Sequence, residues 1–147
     1  MKKEYVTGDD GGCFTSALAS LRRWGGVLEH PAHSKAFAAH GIPHPPKRGW
    51  LQVGYMEWVC QVEQGHYGHV ARKCTWLMVV GPKPPDLIWG PAPQRLPGKR
   101  LAERGRKSAI RCGMVAYQSH LQRQRTPTEF RDLLLSLVQS VETQAIT

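Results

Sequence analysis

Apolar residues recur at helical spacing in the first structured stretch of the chain. The stripe at positions i, i+4 and i+7 consists of Phe14, Leu18 and Leu21. Asp9 and Asp10 precede it, where carboxylates cap a helix and complement its dipole, and Gly25-Gly26 follows it as a stop. The pattern predicts an amphipathic helix over 9–24.

The same periodicity predicts a helix near the C-terminus. Thr126-Pro127-Thr128-Glu129 is a capping box with proline at the first helical position. The apolar face that follows consists of Phe130, Leu133, Leu134, Leu137, Val138 and Val141. We expect the chain to fray after Glu142, over 143–147.

Between these helices, short apolar runs alternate with loops. The runs rich in β-branched or aromatic residues, which predict strands, are Val27-Leu28-Glu29, Trp58 to Val62 and Thr75 to Val80. A short alanine-rich helix is expected over 32–39, and the prolines and glycines of 40–56 and 82–98 predict loops. A helix, a Gly-Gly turn and a short strand in succession are typical of a parallel α/β unit, so we expect a single α/β domain over 1–147.

Positive charge is concentrated in the C-terminal third. Twenty Lys and Arg against eleven Asp and Glu give a formal net charge of +9, and segment 95–131 holds ten Lys or Arg against two Glu, an excess of +8. Such a field attracts polyanions, although charge also serves solubility alone. No apolar run reaches the length of a membrane span, and the charged residues at the N-terminus are not followed by the apolar region of a signal peptide. The expected partner is therefore a nucleic acid and not a membrane.

Candidate nucleophiles and metal ligands lack a recognisable spacing. The cysteines are Cys13, Cys60, Cys74 and Cys112, with no CxxC pair, and they are expected to be reduced thiols. The close histidine pairs are His30 with His33, His40 with His44, and His66 with His69. They fall in different loops, so we expect solvent-facing side chains and no metal site. No Walker loop and no serine-nucleophile elbow is present.

Two segments together carry a family resemblance. Gly25-Gly26-Val27-Leu28-Glu29-His30-Pro31 is a strand that ends in a glutamate, and Tyr67-Gly68 leads through Arg72-Lys73 to an apolar strand that ends at Gly81. These segments resemble motifs of cytosine-5 DNA methyltransferases, and more closely a group of phage-encoded methyltransferase-like proteins. Residues 123–130 resemble the basic turn and closing helix of that group. The resemblance covers most of residues 8–142 and implies a partial Rossmann-like, methyltransferase-type sheet with flanking helices.

The resemblance also assigns roles to individual residues. It implies that Glu29 hydrogen-bonds a flipped cytosine and stabilises its protonated ring, although His30 replaces the asparagine that follows in the family. Tyr67, Arg72 and Lys73 lie where the family contacts base and backbone. The remaining residues of the expected DNA-binding face are Arg104, Arg106, Lys107, Arg111, Arg123 and Arg125.

The catalytic parts of the family have no counterpart before Glu29. The 28 preceding residues contain neither a Gly-x-Gly cofactor loop nor a Pro-Cys nucleophile, and methyl transfer to cytosine C5 needs a covalent cysteine adduct. The chain resembles the rear half of the domain. We therefore expect DNA binding in the cytoplasm of a bacterial host without methylation by this chain alone. No cofactor is expected here, and SAM would bind only if an N-terminal methyltransferase half were supplied.

Two other functions remain open from the sequence. The first alternative is a phage accessory protein that binds a host protein through the aromatic loop residues Trp50, Tyr55, Trp58 and Trp89. A third alternative is a metal-dependent nuclease that uses the histidine pairs and Glu29.

Overall fold

The computed structural model describes residues 10–93 and 124–144, which form a mixed α/β fold. The elements in chain order are α1 (Cys13–Trp24), β1 (Gly26–Pro31), α2 (Ala36–Ala39), β2 (Leu51–Gly54), β3 (Glu57–Glu63), a 3₁₀ helix (Gln64–Tyr67), β4 (Cys74–Val80) and α3 (Thr128–Gln144). Within the described ranges, no helix has both the length and the apolar character that crossing a membrane requires.

The strands form one sheet in the order β1-β4-β3-β2, and every neighbouring pair is antiparallel. The sequence predicted parallel pairing, and that prediction is wrong for these strands. Strand β4 is the last of them along the chain, but it lies between β1 and β3 and runs antiparallel to both. Strands β1 and β3 therefore run in the same direction without touching.

Strand β2 lies inside the segment 40–56 that was predicted to be a loop. It pairs with β3 across a tight turn in which Met56 has a φ of +54°. Its four residues are too few, and too mixed in polarity, to show an alternating pattern in the sequence.

Helix α1 covers one face of the sheet, as its apolar stripe predicted. The buried residues of the stripe are Phe14, Leu18 and Leu21, and they pack with Phe37, Trp76 and Met78. The predicted start at residue 9 is wrong, because the helix begins at Cys13 with Gly12 in the N-cap position. Asp10 lies two residues before the N-cap, and its carboxylate accepts hydrogen bonds from the backbone N–H groups of Gly12 at 3.0 Å and Phe14 at 2.6 Å. Asp9 lies outside the described residues.

Helix α3 covers the other face. Phe130 and Leu137 are fully buried against Leu77 of β4, which confirms the predicted apolar face. The first backbone bond of the helix runs from Arg131 N–H to the carbonyl of Pro127, so Pro127 and not Thr126 occupies the N-cap position. The backbone stays helical through residue 144, beyond the predicted start of fraying, and residues 145–147 lie outside the described part.

The proline-rich segment has neither helix nor strand over 82–93, as its composition predicted; residues 94–98 lie outside the described part. Hydrogen bonds hold it along the sheet. They join Trp50 Nε1–H to the Pro85 carbonyl, Ile88 N–H to the Tyr67 hydroxyl, His66 Nε2–H to the Gly90 carbonyl, and Ala92 N–H to the Glu63 carboxylate. The segment therefore forms a fixed wall beside the strands.

Candidate functional site

The residues that the sequence singled out converge at one end of the sheet. Strand β1 ends at Pro31 opposite Thr75, and strand β3 ends at Glu63 opposite Cys74, so both finish where β4 begins. We call this the β1/β3 end. Glu29 near the end of β1, and Arg72 and Lys73 just before β4, therefore belong to the same end of the sheet.

Glu29 faces the α3 side of this end. Side chains alternate along a strand, and Val27, two residues earlier, packs in the cluster beneath α3. The Glu29 carboxylate forms no hydrogen bond and no ion pair with any described residue. Burial raises the pKa of its carboxyl group, and the positive charge of Lys73 only partly opposes that rise. A half-buried carboxylate whose pKa is shifted by burial and by a nearby charge is a candidate functional group.

Lys73 lies just before β4, near enough to Glu29 for the two charges to interact. Burial lowers the pKa of its ammonium group, and the charge of Glu29 partly opposes that shift. For both groups the loss of hydration outweighs their mutual attraction, as expected for two charges that are near each other but not in contact. Lys73 also has a φ of +41°, a left-handed conformation that is rare for residues with side chains and is enriched at functional sites.

The start of α3 is tied to the same place. The Nζ group of Lys73 donates a hydrogen bond to the backbone carbonyl of Arg125 at 3.0 Å, while the Arg125 side chain is exposed. Three residues from separate parts of the predicted site, Glu29, Lys73 and Arg125, are thus brought together.

A cavity of about 420 Å³ opens beside this contact, between residues 68–70 and residues 125–129. We call it the α3-side cavity. Gly68 has a φ of +91°, and a Cβ atom there would lie 2.6 Å from Oε2 of Glu129, so glycine permits both the turn and the close approach of α3. The volume is in the range of pockets that hold one small molecule or one base.

The Arg72 guanidinium forms an ion pair with Glu63 of the same domain. Its Nε–H donates to Glu63 Oε2 at 2.6 Å, and its Nη2 group donates to Oε1 of the same carboxylate. Burial would raise the pKa of Glu63, but the hydrogen bonds from Arg72 and from the Ala92 N–H outweigh it, so the pKa is lowered. The assignment of Arg72 to DNA stays a prediction, to which the structure adds this internal partner.

Tyr67 also makes contacts within the domain. Its hydroxyl accepts a hydrogen bond from the Ile88 N–H at 3.1 Å, and its ring centre lies 5.7 Å from that of Phe130. Burial raises the pKa of the phenol, which therefore stays protonated. Its role in DNA contact stays a prediction.

A second cavity, of about 460 Å³, lies on the α1 side of the β1/β3 end. We call it the α1-side cavity; its lining includes His33, Lys47, Arg48, Glu63 and Arg72. Lys47 and Arg48 did not enter the sequence prediction, because they fall in the 40–56 segment, far from the basic C-terminal run. The only signal was a Lys-Arg pair between prolines and a glycine.

The histidines divide between surface and interior. His33 and His44 are exposed, as expected, whereas His69 is only 3% exposed and accepts a hydrogen bond at Nδ1 from the Ala71 N–H. His30 packs edge-on to Phe14 and bonds Ser34 Oγ through Nε2. The solvent-facing prediction is wrong for His69, because local hydrogen bonding allows its ring to be buried.

The described residues contain neither a group of three potential metal ligands nor a disulfide. Cys60 and Cys74 are buried, Cys13 is exposed, and burial raises the pKa of the Cys60 thiol. The predicted residues outside the described part are Arg104, Arg106, Lys107, Arg111, Cys112 and Arg123.

Three of the four aromatic residues proposed as protein anchors are engaged within the domain. Trp50 and Trp89 meet edge to face with ring centres 6.1 Å apart, and Trp58 Nε1–H donates to the Gly81 carbonyl at 3.2 Å. Only Tyr55, in the turn between β2 and β3, is largely exposed, at 89%. A partner surface built on these residues would have to centre on Tyr55.

Comparison with known proteins gives no match: no protein-family model, no curated protein and no solved structure matches this chain. The fold is therefore described as a mixed α/β fold with a four-stranded antiparallel sheet, and functional inference starts from the geometry of the β1/β3 end.

Proposed function

We propose that this protein binds DNA at the β1/β3 end and that Glu29 contacts a base there. The observation that carries the proposal is the half-buried carboxylate of Glu29, which has a raised pKa and no partner among the described residues. A carboxylate accepts a hydrogen bond from the amino group of cytosine, and a base taken out of the stack is read along its Watson–Crick edge. Glu29 is suited to such a contact.

Cations around this carboxylate support a phosphate-bearing partner. The charge of Lys73 acts on the Glu29 carboxylate, and Lys73 Nζ donates a hydrogen bond to the backbone carbonyl of Arg125, whose side chain is exposed. The chain as a whole has a net charge of +9. Lysine and arginine that neutralise phosphates supply most of the affinity for nucleic acid, and base contacts add selectivity.

The relationship to DNA methyltransferases belongs to the same proposal. This relationship is supported by the position of Glu29 near the end of β1 and of Arg72 and Lys73 just before β4, whereas the antiparallel pairing of the described strands gives no support to a Rossmann-like sheet. We propose a protein of phage type that binds DNA and does not methylate alone. A separate methyltransferase half would have to supply the nucleophile and SAM.

A titration of DNA binding against salt tests this function. Fluorescence anisotropy with labelled duplex and single-stranded DNA is expected to show an affinity that falls log-linearly with salt concentration. Lys73→Gln should reduce the slope by about one, since one phosphate contact is lost. Lys83→Gln, an exposed lysine just beyond the other end of β4, is the charge-matched control and should leave the slope unchanged.

A second arm tests the base contact. The wild type should bind a duplex with one unpaired cytosine more tightly than the same duplex with an unpaired thymine, and Glu29→Gln should reduce that preference. Absence of binding at low salt, or binding that is indifferent to salt, contradicts the DNA proposal. An equal affinity of the wild type for the two unpaired bases removes the role of Glu29.

A further inference from the structure

The α1-side cavity combines several positive charges with one compensating carboxylate. Lys47, Arg48 and Arg72 line it together with Glu63, so three cations against one anion leave a net charge of +2 before His33 is counted. We propose that this cavity binds the phosphate group of a nucleotide-sized ligand. The proposal concerns the face of the sheet opposite Glu29 and does not depend on DNA contact there.

Glu63 does not compete for such a ligand. Its carboxylate is buried and is occupied by Arg72 and by the Ala92 N–H, so it holds the Arg72 guanidinium at the cavity wall. Lys47 and Arg48 form no ion pair and no hydrogen bond with the part of the chain that the structure describes. Like charges collected around one concavity repel each other, and a dianion of phosphate would relieve that repulsion.

The Arg48 guanidinium lies close to Gly90 in the proline-rich wall. Its Nη2 atom lies 3.2 Å from the position that a Cβ atom would take at Gly90, where φ is +89°. A side chain at residue 90 would therefore be strained and would push the guanidinium away. The wall itself is fixed by the hydrogen bond from Ala92 to Glu63, and the same carboxylate holds Arg72, so the Arg72 guanidinium is preorganised at the cavity.

The size of the cavity determines which phosphate-bearing molecules can enter it. At about 460 Å³ it has the volume of a small-molecule pocket and is too small for the backbone of a continuous duplex to enter. Guanidinium groups bind phosphate oxygens through paired hydrogen bonds, which suits a terminal phosphate with several free oxygens. Two sources share this chemistry: a free nucleoside monophosphate and the 5′-phosphate at the end of a DNA strand.

Isothermal titration calorimetry on the full chain tests the proposal with defined probes. The probes are inorganic phosphate, dCMP, and a single-stranded oligonucleotide with either a 5′-phosphate or a 5′-hydroxyl group. The test variant is Lys47→Gln/Arg48→Gln. The control is Arg23→Gln/Lys83→Gln, which removes the same charge from exposed positions at the opposite end of the sheet. Melting temperatures verify that both double variants fold.

We expect the test variant to bind phosphate and dCMP at least about tenfold more weakly, and the control to bind them like the wild type. Gly90→Ala should also weaken binding, because it displaces Arg48 without removing charge. Tighter binding of the 5′-phosphorylated strand than of the 5′-hydroxyl strand assigns the site to DNA ends, and equal binding assigns it to free nucleotides.

The proposal is overturned if the wild type binds neither phosphate nor dCMP, or if the two double variants lose affinity equally. Lys73→Gln in the same assay distinguishes DNA binding near Glu29 from phosphate binding in the α1-side cavity. It should alter the salt dependence of duplex binding and leave the affinity for dCMP unchanged, because Lys73 lies outside the α1-side cavity.

Discussion

Glu63 and Arg72 form a two-point ion pair that joins three separate parts of the chain. Glu63 ends β3, Arg72 comes nine positions later before β4, and the same carboxylate accepts a hydrogen bond of 2.7 Å from Ala92 of the proline-rich segment. The carboxylate is almost completely buried, with 6% of the side chain exposed, while the arginine side chain is 30% exposed. The pair therefore fixes the wall of the α1-side cavity.

Replacing Glu63 by glutamine should destabilise the fold by about 2 kcal/mol in urea unfolding. Removal of one partner of a buried pair leaves the other charge uncompensated, and we place the value below the range for fully buried pairs because Arg72 is partly solvated. The matched control is Glu57→Gln, which breaks the ion pair with the 45% exposed Arg22 side chain and should cost less than about 1 kcal/mol. Equal effects of the two substitutions would contradict the structural role of the Glu63–Arg72 pair.

The stability contributed by Glu63 should depend on pH in a defined direction. Its pKa in the folded protein is lowered, so the folded state binds protons less readily than the unfolded chain, whose glutamates titrate near about 4.3. The advantage of the wild type over Glu63→Gln is therefore complete above that value and is lost as pH falls through the lowered pKa. Unfolding free energies of both proteins between neutral and acidic pH measure it; a gap that widens on acidification would be inconsistent with the buried pair.

Glu29 should show the opposite pH dependence. Its pKa in the folded protein is raised, so between that value and the ordinary value near about 4.3 the folded state binds a proton that the unfolded chain does not. Stability of the wild type then rises as pH falls across this window. Glu29→Gln is expected to be more stable than the wild type at neutral pH, with a difference that closes on acidification. A glutamine variant that is less stable at neutral pH would indicate a partner for Glu29.

Gln64 carries a buried polar atom that the fold leaves unsatisfied. Its Nε2–H donates to Thr75 Oγ1 at 2.8 Å, but its Oε1 has no hydrogen-bond partner among the described residues. Gln64→Met should change stability by less than about 1 kcal/mol, because removal of the unsatisfied acceptor offsets the lost bond. Gln64→Glu should cost about 2 kcal/mol or more at neutral pH and recover in acid, since it buries a carboxylate. Thermal unfolding of the two variants compares them directly, and a large loss in the methionine variant would show that Oε1 is satisfied in solution.

Tyr67 provides a test of how the proline-rich segment is held. Tyr67→Phe keeps the ring against Phe130 but removes the acceptor of the Ile88 N–H. We expect faster hydrogen exchange at the Ile88 amide and a loss of about 1 kcal/mol in stability. Exchange at Ala92, which donates to Glu63, should change less and serves as the internal reference. Unchanged exchange at Ile88 would mean that the hydroxyl does not hold the segment.

Much of the secondary structure could be read from local pattern. The stripe around Phe14 predicted the buried face of α1, and the β-branched runs predicted β1, β3 and β4 within one or two residues. These elements follow from side-chain spacing alone, because burial on one face imposes a fixed period. Strand β2 was missed, since its position depends on pairing with β3 and not on its own composition.

The candidate site was only partly predictable for the same reason. Glu29 and Lys73 were singled out from the sequence, but their proximity depends on β4 lying beside β1, and the paired residues of these strands are 44 to 54 positions apart along the chain. Lys47 and Arg48 became candidates only when the 40–56 segment was seen to border the same cavity as Arg72.

The sequence by itself determined the helices, three of the strands and an excess of positive charge, because these depend on neighbours along the chain and on composition. The tertiary structure alone decided strand order, antiparallel pairing and the burial of Glu63 with Arg72. Those features arise from contacts between distant segments, and a linear pattern does not encode which of several compatible strands will pair. Charge was thus visible in the sequence, and its division between two faces of one sheet end was not.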